Sequence, residues 1–364
     1  MRSYEFIPEA ISFTQYNKSI QDIIEQGILQ SVESFSSWNP NSSVTNALDD
    51  GETDPIRNFV LRELRKSLPE NISSELTKLA QELIPISSAM TRVTGKERTK
   101  RSELPRLAGK IRGEHGDRPV FPGHPLGGKS IQVLFKDIGA SGGQANGIII
   151  SLSLRYIEQI SKDIADYIVE HVNDYLDSNN DSLLNAFFSL VHQQARYKSI
   201  IHDSRNLPDI IAKCTSTVIH ELVHVQQHVT QHKMGRQRTE YRGYTSSIRD
   251  FHNAIRKNHS KAPISDEERD KNYRIYRASP QEMAAFAHQD ALKFIQDNYI
   301  DDIIASGDQV EQGTIQGLKH YINSGLKDPA NPKEQMVHNR YAKLVYQEVM
   351  RYIEHVKSQQ NTAK

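Results

Sequence analysis

The stretch Thr217-Val-Ile-His-Glu-Leu-Val-His-Val-Gln-Gln227 lies in the middle of a long amphipathic pattern. Pro208 is typical of the first turn of a helix and Gly235 of its end, and neither Gly nor Pro interrupts the chain between them. Apolar residues recur there at intervals of three or four: Ile211, Cys214, Val218, Leu222, Val225 and Val229. This spacing predicts a single helix with one buried face.

The motif His220-Glu221-Leu-Val-His224 lies on a different face of that helix. Residues four apart lie one above the other, so both histidines can reach one tetrahedral Zn²⁺ at about 2.0–2.1 Å. Glu221 is rotated away from His220 and can instead take a proton from a water molecule beside the metal. The simpler alternative is a surface helix that carries these residues by chance, which the unbroken apolar face argues against. Cys214 belongs to the apolar face and is predicted to be a core residue.

A catalytic zinc needs a third protein ligand. In the pattern HExxHxxGxxH that ligand is a histidine, but Gln227 and Thr230 occupy the glycine and histidine positions here. A carboxylate on a later helix is therefore expected. Glu282 is the strongest candidate because Ser279 can cap a helix that begins at Pro280, with Glu282 in its first turn.

Small residues at positions 284, 285 and 287 would let this later helix pack closely against the motif helix. One alternative for the third ligand stays open. Glu282 can simply be a carboxylate that is favoured by the helix dipole. The third ligand would then be Glu240 or one of the acidic residues at 266–268.

The two stretches resemble those of zincin metallopeptidases. The pattern Ser279-Pro-x-Glu282-x-x-Ala-x-Ala287 is similar to the segment that supplies the glutamate ligand in many small bacterial and phage-encoded gluzincin-like enzymes. The resemblance covers about residues 131–300 and is specific mainly at His220, Glu221, His224 and Glu282. It implies a zinc-dependent metallopeptidase in which a metal-activated water attacks a peptide bond, with Glu221 as general base.

The sequence departs from the better-known gluzincins at Phe286, where those enzymes have an aspartate that supports a ligand histidine. The residue that orients the histidines is therefore not identified. A tyrosine near the metal can donate to the oxyanion that develops during peptide hydrolysis. Tyr276 is our choice among four tyrosines between the motif helix and Glu282, the alternative being a buried tyrosine with a tethered hydroxyl.

Two stretches rich in branched and aromatic residues, Ile131–Phe135 and Ile148–Leu152, predict strands, and the glycine-rich segment 139–147 between them predicts a hairpin or a long loop. The second strand is a candidate edge for pairing with an extended substrate. Helical spacing dominates elsewhere, at 20–29, 59–68, 157–176, 183–197, 281–295 and 337–356. We predict an α+β fold that is predominantly α-helical: a zincin-like catalytic domain with a small sheet and an HExxH active-site helix.

Four regions are predicted. They are a helical N-terminal region (1–93), a basic Gly/Pro-rich connector (94–130), the catalytic domain (131–300) and C-terminal helices that pack on it (301–364). The N-terminal region is a candidate prosegment, substrate-docking module or assembly surface. Within the connector, Gly123–Ser130 formally satisfies GxxxxGK[ST], but a strand pattern rather than a helix follows it, which is the wrong context for a phosphate loop.

The composition limits the partners. Forty-five basic and 45 acidic residues cancel, so no overall charge favours nucleic acid. The sequence lacks a signal-peptide pattern and an apolar run long enough to span a bilayer, which predicts a cytoplasmic protein. The resemblance to bacterial and phage-encoded enzymes leaves a phage-related origin open, and it implies a peptide or protein substrate. Oligomeric state stays open. Two other functions stay open as well: a zinc amidohydrolase that does not cleave peptides, and a phage-related structural or interaction protein with a non-catalytic zincin-like site.

Overall fold

The computed structural model describes residues 12–37, 46, 52–86, 130–139, 141–179, 182–192, 194–204, 206–233, 280–298, 300, 317–318 and 332–362. The described part of the chain is predominantly helical and contains one small three-stranded sheet. The predicted α+β class with a majority of helix is confirmed. Most of the predicted connector, including Gly123–Lys129, lies outside the described residues.

The α-helices follow the predicted periodic segments. In chain order they are α1 (Asn17–Glu33), α2 (Asp54–Leu83), α3 (Leu154–Asn179), α4 (Leu183–His192), α5 (Gln194–Asp203), α6 (Leu207–Lys233), α7 (Pro280–Asp297) and α8 (Pro332–Thr362). Short 3-10 turns occur at Phe13–Tyr16 and Ser34–Ser37. The pattern predicted over 183–197 divides into α4 and α5. None of the described helices combines the length and apolar character needed to cross a membrane.

The chain divides into two compact units. The first unit consists of Met1–Asn17 and Ile219–Lys364, and the second of Lys18–Val218. The division falls within α6, so the HExxH half of this helix belongs to the first unit together with α7 and α8. The range 131–300 predicted for the catalytic domain contains residues of both units.

The sheet belongs to the second unit. Its strands are β1 (Gln132–Lys136), β2 (Gly143–Asn146) and β3 (Ile149–Ser153), in the spatial order β1-β3-β2. Both predicted strands are present, but they pair in parallel rather than as a hairpin. The glycine-rich segment between them contains β2, which pairs antiparallel with β3. Gly147 has a φ of 68° in the turn that joins β2 to β3, a conformation that favours glycine.

The prediction that the strand at 148–152 is a free edge for a substrate is wrong. β3 is the central strand of the sheet, with β1 on one side and β2 on the other. Its backbone N–H and C=O groups are therefore engaged on both sides, and an extended peptide has no place to add. The sequence pattern did not show this because the short polar strand β2 lacks the branched residues that mark the other two.

The edge strand β1 is covered by α2 within the same unit. Thr77 Oγ1 accepts a hydrogen bond from the Val133 backbone N–H at 2.9 Å, and Gln81 donates to the Ile131 carbonyl at 3.0 Å. Side chains of a helix thus take up backbone groups that an edge strand would otherwise expose.

The core of the first unit lies between α7 and α8. Twelve buried residues form it: Met283, Ala287, Ala291, Phe294, Ile295, Ile300, Leu318, Tyr341, Val345, Val349, Tyr352 and Ile353. The 3-10 turn Phe13–Tyr16 contacts both helices, and the Phe13 side chain is almost fully buried. The helix that carries Glu282 is therefore anchored by a large apolar interface in this unit.

A buried polar cluster connects the N-terminal turn to these helices. Glu348 of α8 accepts hydrogen bonds at Oε2 from the hydroxyls of Ser12 (2.6 Å) and Thr14 (3.2 Å), and at Oε1 from Arg351 (2.9 Å). His288 of α7 places Nε2 at 3.3 Å from the same Oε2. We call these five residues the Glu348 cluster.

Candidate metal centre

The α6 helix presents its histidines as the sequence predicts. Cys214, Val218, Leu222 and Val225 are buried and form the apolar face. The HExxH residues lie on the adjoining surface of the helix, where His220 and Glu221 are also buried. The side chain of His224 is the most accessible of the candidate ligands, at 17% exposure against 10% for His220 and 8% for Glu282.

Glu282 lies in the first turn of α7. This helix begins at Pro280, a residue suited to the first turn because it has no N–H to leave unpaired. Glu282 follows in that first turn and is buried. The adjoining Met283 belongs to the apolar core of the unit, which fixes the end of the helix that carries the carboxylate.

The three predicted ligands meet at one point. His220 Nε2 lies 3.1 Å from His224 Nε2, and Glu282 Oε2 lies 3.3 Å from the first of these nitrogens and 3.4 Å from the second. Ligand atoms bound to one tetrahedral zinc at about 2.0–2.1 Å are separated by about 3.3–3.4 Å. His220, His224 and Glu282 form a buried group that can hold a metal ion, as the sequence predicts.

The hydrogen bonding of this group also fits a metal. Although Glu282 Oε2 is buried and close to both imidazoles, no hydrogen bond of acceptable geometry reaches it from the described residues. An isolated buried carboxylate oxygen is costly unless a donor or a cation satisfies it. Two imidazole nitrogens directed at the same point as this oxygen are the donor set that zinc prefers.

The carboxylates and imidazoles of the site shift each other's pKa values. Burial alone would raise the pKa of Glu282, but the imidazoles of His220 and His224 lower it to about 2. Burial lowers the pKa of His224, yet the carboxylates of Glu282 and Glu221 outweigh this effect and raise it. The carboxylate of Glu221 is thus close enough to act electrostatically on a candidate ligand, as a general base beside a metal must be.

Two further residues surround the ligands. Gln227 Oε1 lies 3.4 Å from His224 Nδ1, and the Phe286 ring meets the His220 ring nearly edge-on, with centroids 4.9 Å apart. In the sequence these positions stand out only because Gln227 departs from the HExxHxxGxxH pattern and Phe286 from the gluzincin aspartate. The separation of three residues between His224 and Gln227 was the available signal, since such side chains are neighbours on a helix.

Of the other predicted site residues, only Cys214 lies in the described part of the chain. Tyr276 lies outside the described residues, as do Glu240 and the acidic run at 266–268, so these predictions stay open. Cys214 is fully buried, and burial raises the pKa of its thiol to about 12, which confirms it as a core residue rather than a thiolate ligand.

In comparisons with known proteins, no family model matches the chain, and neither a curated protein nor a solved structure matches it.

Proposed function

We propose that the protein is a zinc-dependent metallopeptidase of the zincin type. The observation that supports this most directly is the triangle of His220 Nε2, His224 Nε2 and Glu282 Oε2, whose edges of 3.1–3.4 Å suit three ligands of one tetrahedral zinc. Three protein ligands leave the fourth position open, as hydrolytic zinc sites require. A closed structural site would need a fourth protein ligand, and the described residues add none to this group.

The donors support zinc as the metal of this proposal. Two imidazoles and one carboxylate suit zinc better than calcium or magnesium, which prefer a shell of oxygen ligands. Zinc bound here would polarise a substrate carbonyl and lower the pKa of a water molecule. The remaining chemistry belongs to residues of the chain.

Glu221 is the general base in this proposal. It follows His220 directly on α6, is buried, and acts electrostatically on His224. Its carboxylate accepts the proton of the attacking water and passes it to the leaving nitrogen, so that the amine departs neutral. His220, His224 and Glu282 hold the centre, and Tyr276 is the proposed donor to the developing oxyanion.

Glu221→Gln tests the proposal. This variant keeps the size of the side chain and removes the base, so we expect full zinc content and a loss of hydrolysis of about 10²–10⁴-fold. Glu354→Gln, an exposed position on α8, is the matched control and should keep wild-type activity. Zinc per chain is measured by elemental analysis, and hydrolysis with an unbiased peptide library.

The outcomes separate the alternatives. Full activity of Glu221→Gln contradicts the mechanism. Hydrolysis of small amides without cleavage of any peptide indicates a zinc amidohydrolase. Stoichiometric zinc in a wild-type protein that hydrolyses neither class of substrate indicates a non-catalytic site in a structural or interaction protein.

A further inference from the structure

Metal-binding histidines are usually oriented by a hydrogen bond from the ring nitrogen that does not touch the metal. The two histidines of this centre differ in that respect. His224 Nδ1 lies 3.4 Å from Gln227 Oε1. No hydrogen-bond partner among the described residues reaches the buried His220 Nδ1.

The contact with Gln227 favours one tautomer of His224. A side-chain amide oxygen only accepts hydrogen bonds, so the proton lies on Nδ1 and the imidazole donates to Gln227. In the neutral ring the lone pair is then on Nε2, the atom that faces His220 and Glu282. This is the tautomer that a metal at that point requires.

His220 is held in another way. The ring of Phe286 packs against it at 71° between planes, and both residues belong to the first unit. An aromatic contact restricts the orientation of the ring but accepts no proton strongly, so it does not raise the basicity of Nε2 as an oxygen acceptor would.

We propose that Gln227 is a positioning residue of the metal centre, which orients His224 through Nδ1, whereas among the described residues His220 has the ring of Phe286 against it and no hydrogen-bond partner at Nδ1. This inference rests on the proposed function for the metal itself. It adds Gln227, with a defined role, to the three ligands, Glu221 and Tyr276. It also places the orienting hydrogen bond on the more accessible of the two histidines.

Gln227→Leu tests the proposal, with Gln226→Leu as the matched control one residue earlier on the same helix. Zinc dissociation constants are measured by competition with a chelator, and thermal unfolding is measured on the metal-free proteins. We expect Gln227→Leu to weaken zinc binding about 10–100-fold. Gln226→Leu should bind zinc like the wild type, and both metal-free variants should unfold at the same temperature.

Gln227→Glu provides the rescue. Its carboxylate also accepts from His224 Nδ1, so zinc affinity should return at least to the wild-type value. A Gln227→Leu protein that binds zinc as tightly as the wild type overturns the inference and leaves the proposed function standing. A purely structural role, which also overturns it, would lower the unfolding temperature of metal-free Gln227→Leu and leave Gln227→Glu without rescue. A wild-type protein that binds no zinc overturns the proposed function itself.

Discussion

Glu282 and Glu348 are buried carboxylates of the first unit, each within 3.5 Å of a histidine, and their surroundings are opposite. Glu348 accepts hydrogen bonds from Ser12, Thr14 and Arg351. Glu282 Oε2 receives no hydrogen bond of acceptable geometry from the described residues and faces two imidazole nitrogens. A carboxylate that accepts several hydrogen bonds is already satisfied and stabilises the fold. A carboxylate oxygen that faces the same point as two imidazole nitrogens, each able to offer a lone pair, suits a metal cation.

The histidines show the same difference. His288 Nδ1 donates to the Ala284 carbonyl at 2.8 Å, and its Nε2 lies 3.3 Å from Glu348 Oε2. His220 and His224 instead direct Nε2 at each other as well as at Glu282. Proximity of histidine to glutamate therefore does not by itself indicate a metal site. The balance of donors and acceptors around the pair distinguishes the two clusters.

The largest expected effect is on stability at the Glu348 cluster. Glu348→Ala should lower the free energy of unfolding by about 3–5 kcal/mol, because it leaves the Ser12 and Thr14 hydroxyls without their acceptor and removes the buried carboxylate that faces His288 Nε2. Urea denaturation of the metal-free protein measures this. Glu354→Ala, exposed on the same helix, is the control and should change stability by no more than about 0.5 kcal/mol. If Glu348→Ala does not fold, the isosteric Glu348→Gln gives a smaller loss of the same sign, and an unchanged value for Glu348→Gln contradicts the prediction.

The corresponding change at the metal centre should affect zinc rather than the fold. Glu282→Ala removes one of three ligands, so its zinc dissociation constant should rise by more than about 100-fold, beyond the effect expected of an orienting residue. Elemental analysis and chelator competition measure this. Asp297→Ala, an exposed carboxylate near the other end of α7, should bind zinc like the wild type. Wild-type zinc affinity in Glu282→Ala would mean that another carboxylate is the third ligand.

The sequence predicted the grouping of His220, His224 and Glu282 well, and for the two histidines this is because helical periodicity fixes relative positions within one element. His220 and His224 share a face by their spacing alone, and Ser279-Pro280 indicated where the helix of Glu282 begins. The partner of each histidine was harder to predict, since Phe286 approaches His220 from a helix more than sixty residues later in the chain.

The sheet order and the Glu348 cluster were not predictable from local patterns. β2 is a short polar strand, Gly143–Asn146, and only its pairing with β3 identifies it. Ser12 and Glu348 lie at opposite ends of the chain, and neither has a neighbour in sequence that marks it as a hydrogen-bond partner. Long-range polar contacts of this kind depend on the packing of α7 and α8, which periodicity predicts as elements but not as an arrangement.

The smallest expected effect is the difference in stability loss between variants of two hydrogen-bond partners of Glu348, Ser12 and Arg351. Ser12→Ala removes a neutral hydroxyl that donates to the carboxylate at 2.6 Å in a buried environment, and it should lower the free energy of unfolding by about 1.5–3 kcal/mol. Arg351→Met removes a full charge at 2.9 Å, yet the arginine side chain is 42% exposed and solvent weakens its attraction, so the loss should be at most about 1 kcal/mol. Urea denaturation of the two variants gives the order. A larger loss for Arg351→Met than for Ser12→Ala would show that charge rather than burial dominates this cluster. The difference between Glu348 and Glu282 would then depend only on which of the two carboxylates binds zinc.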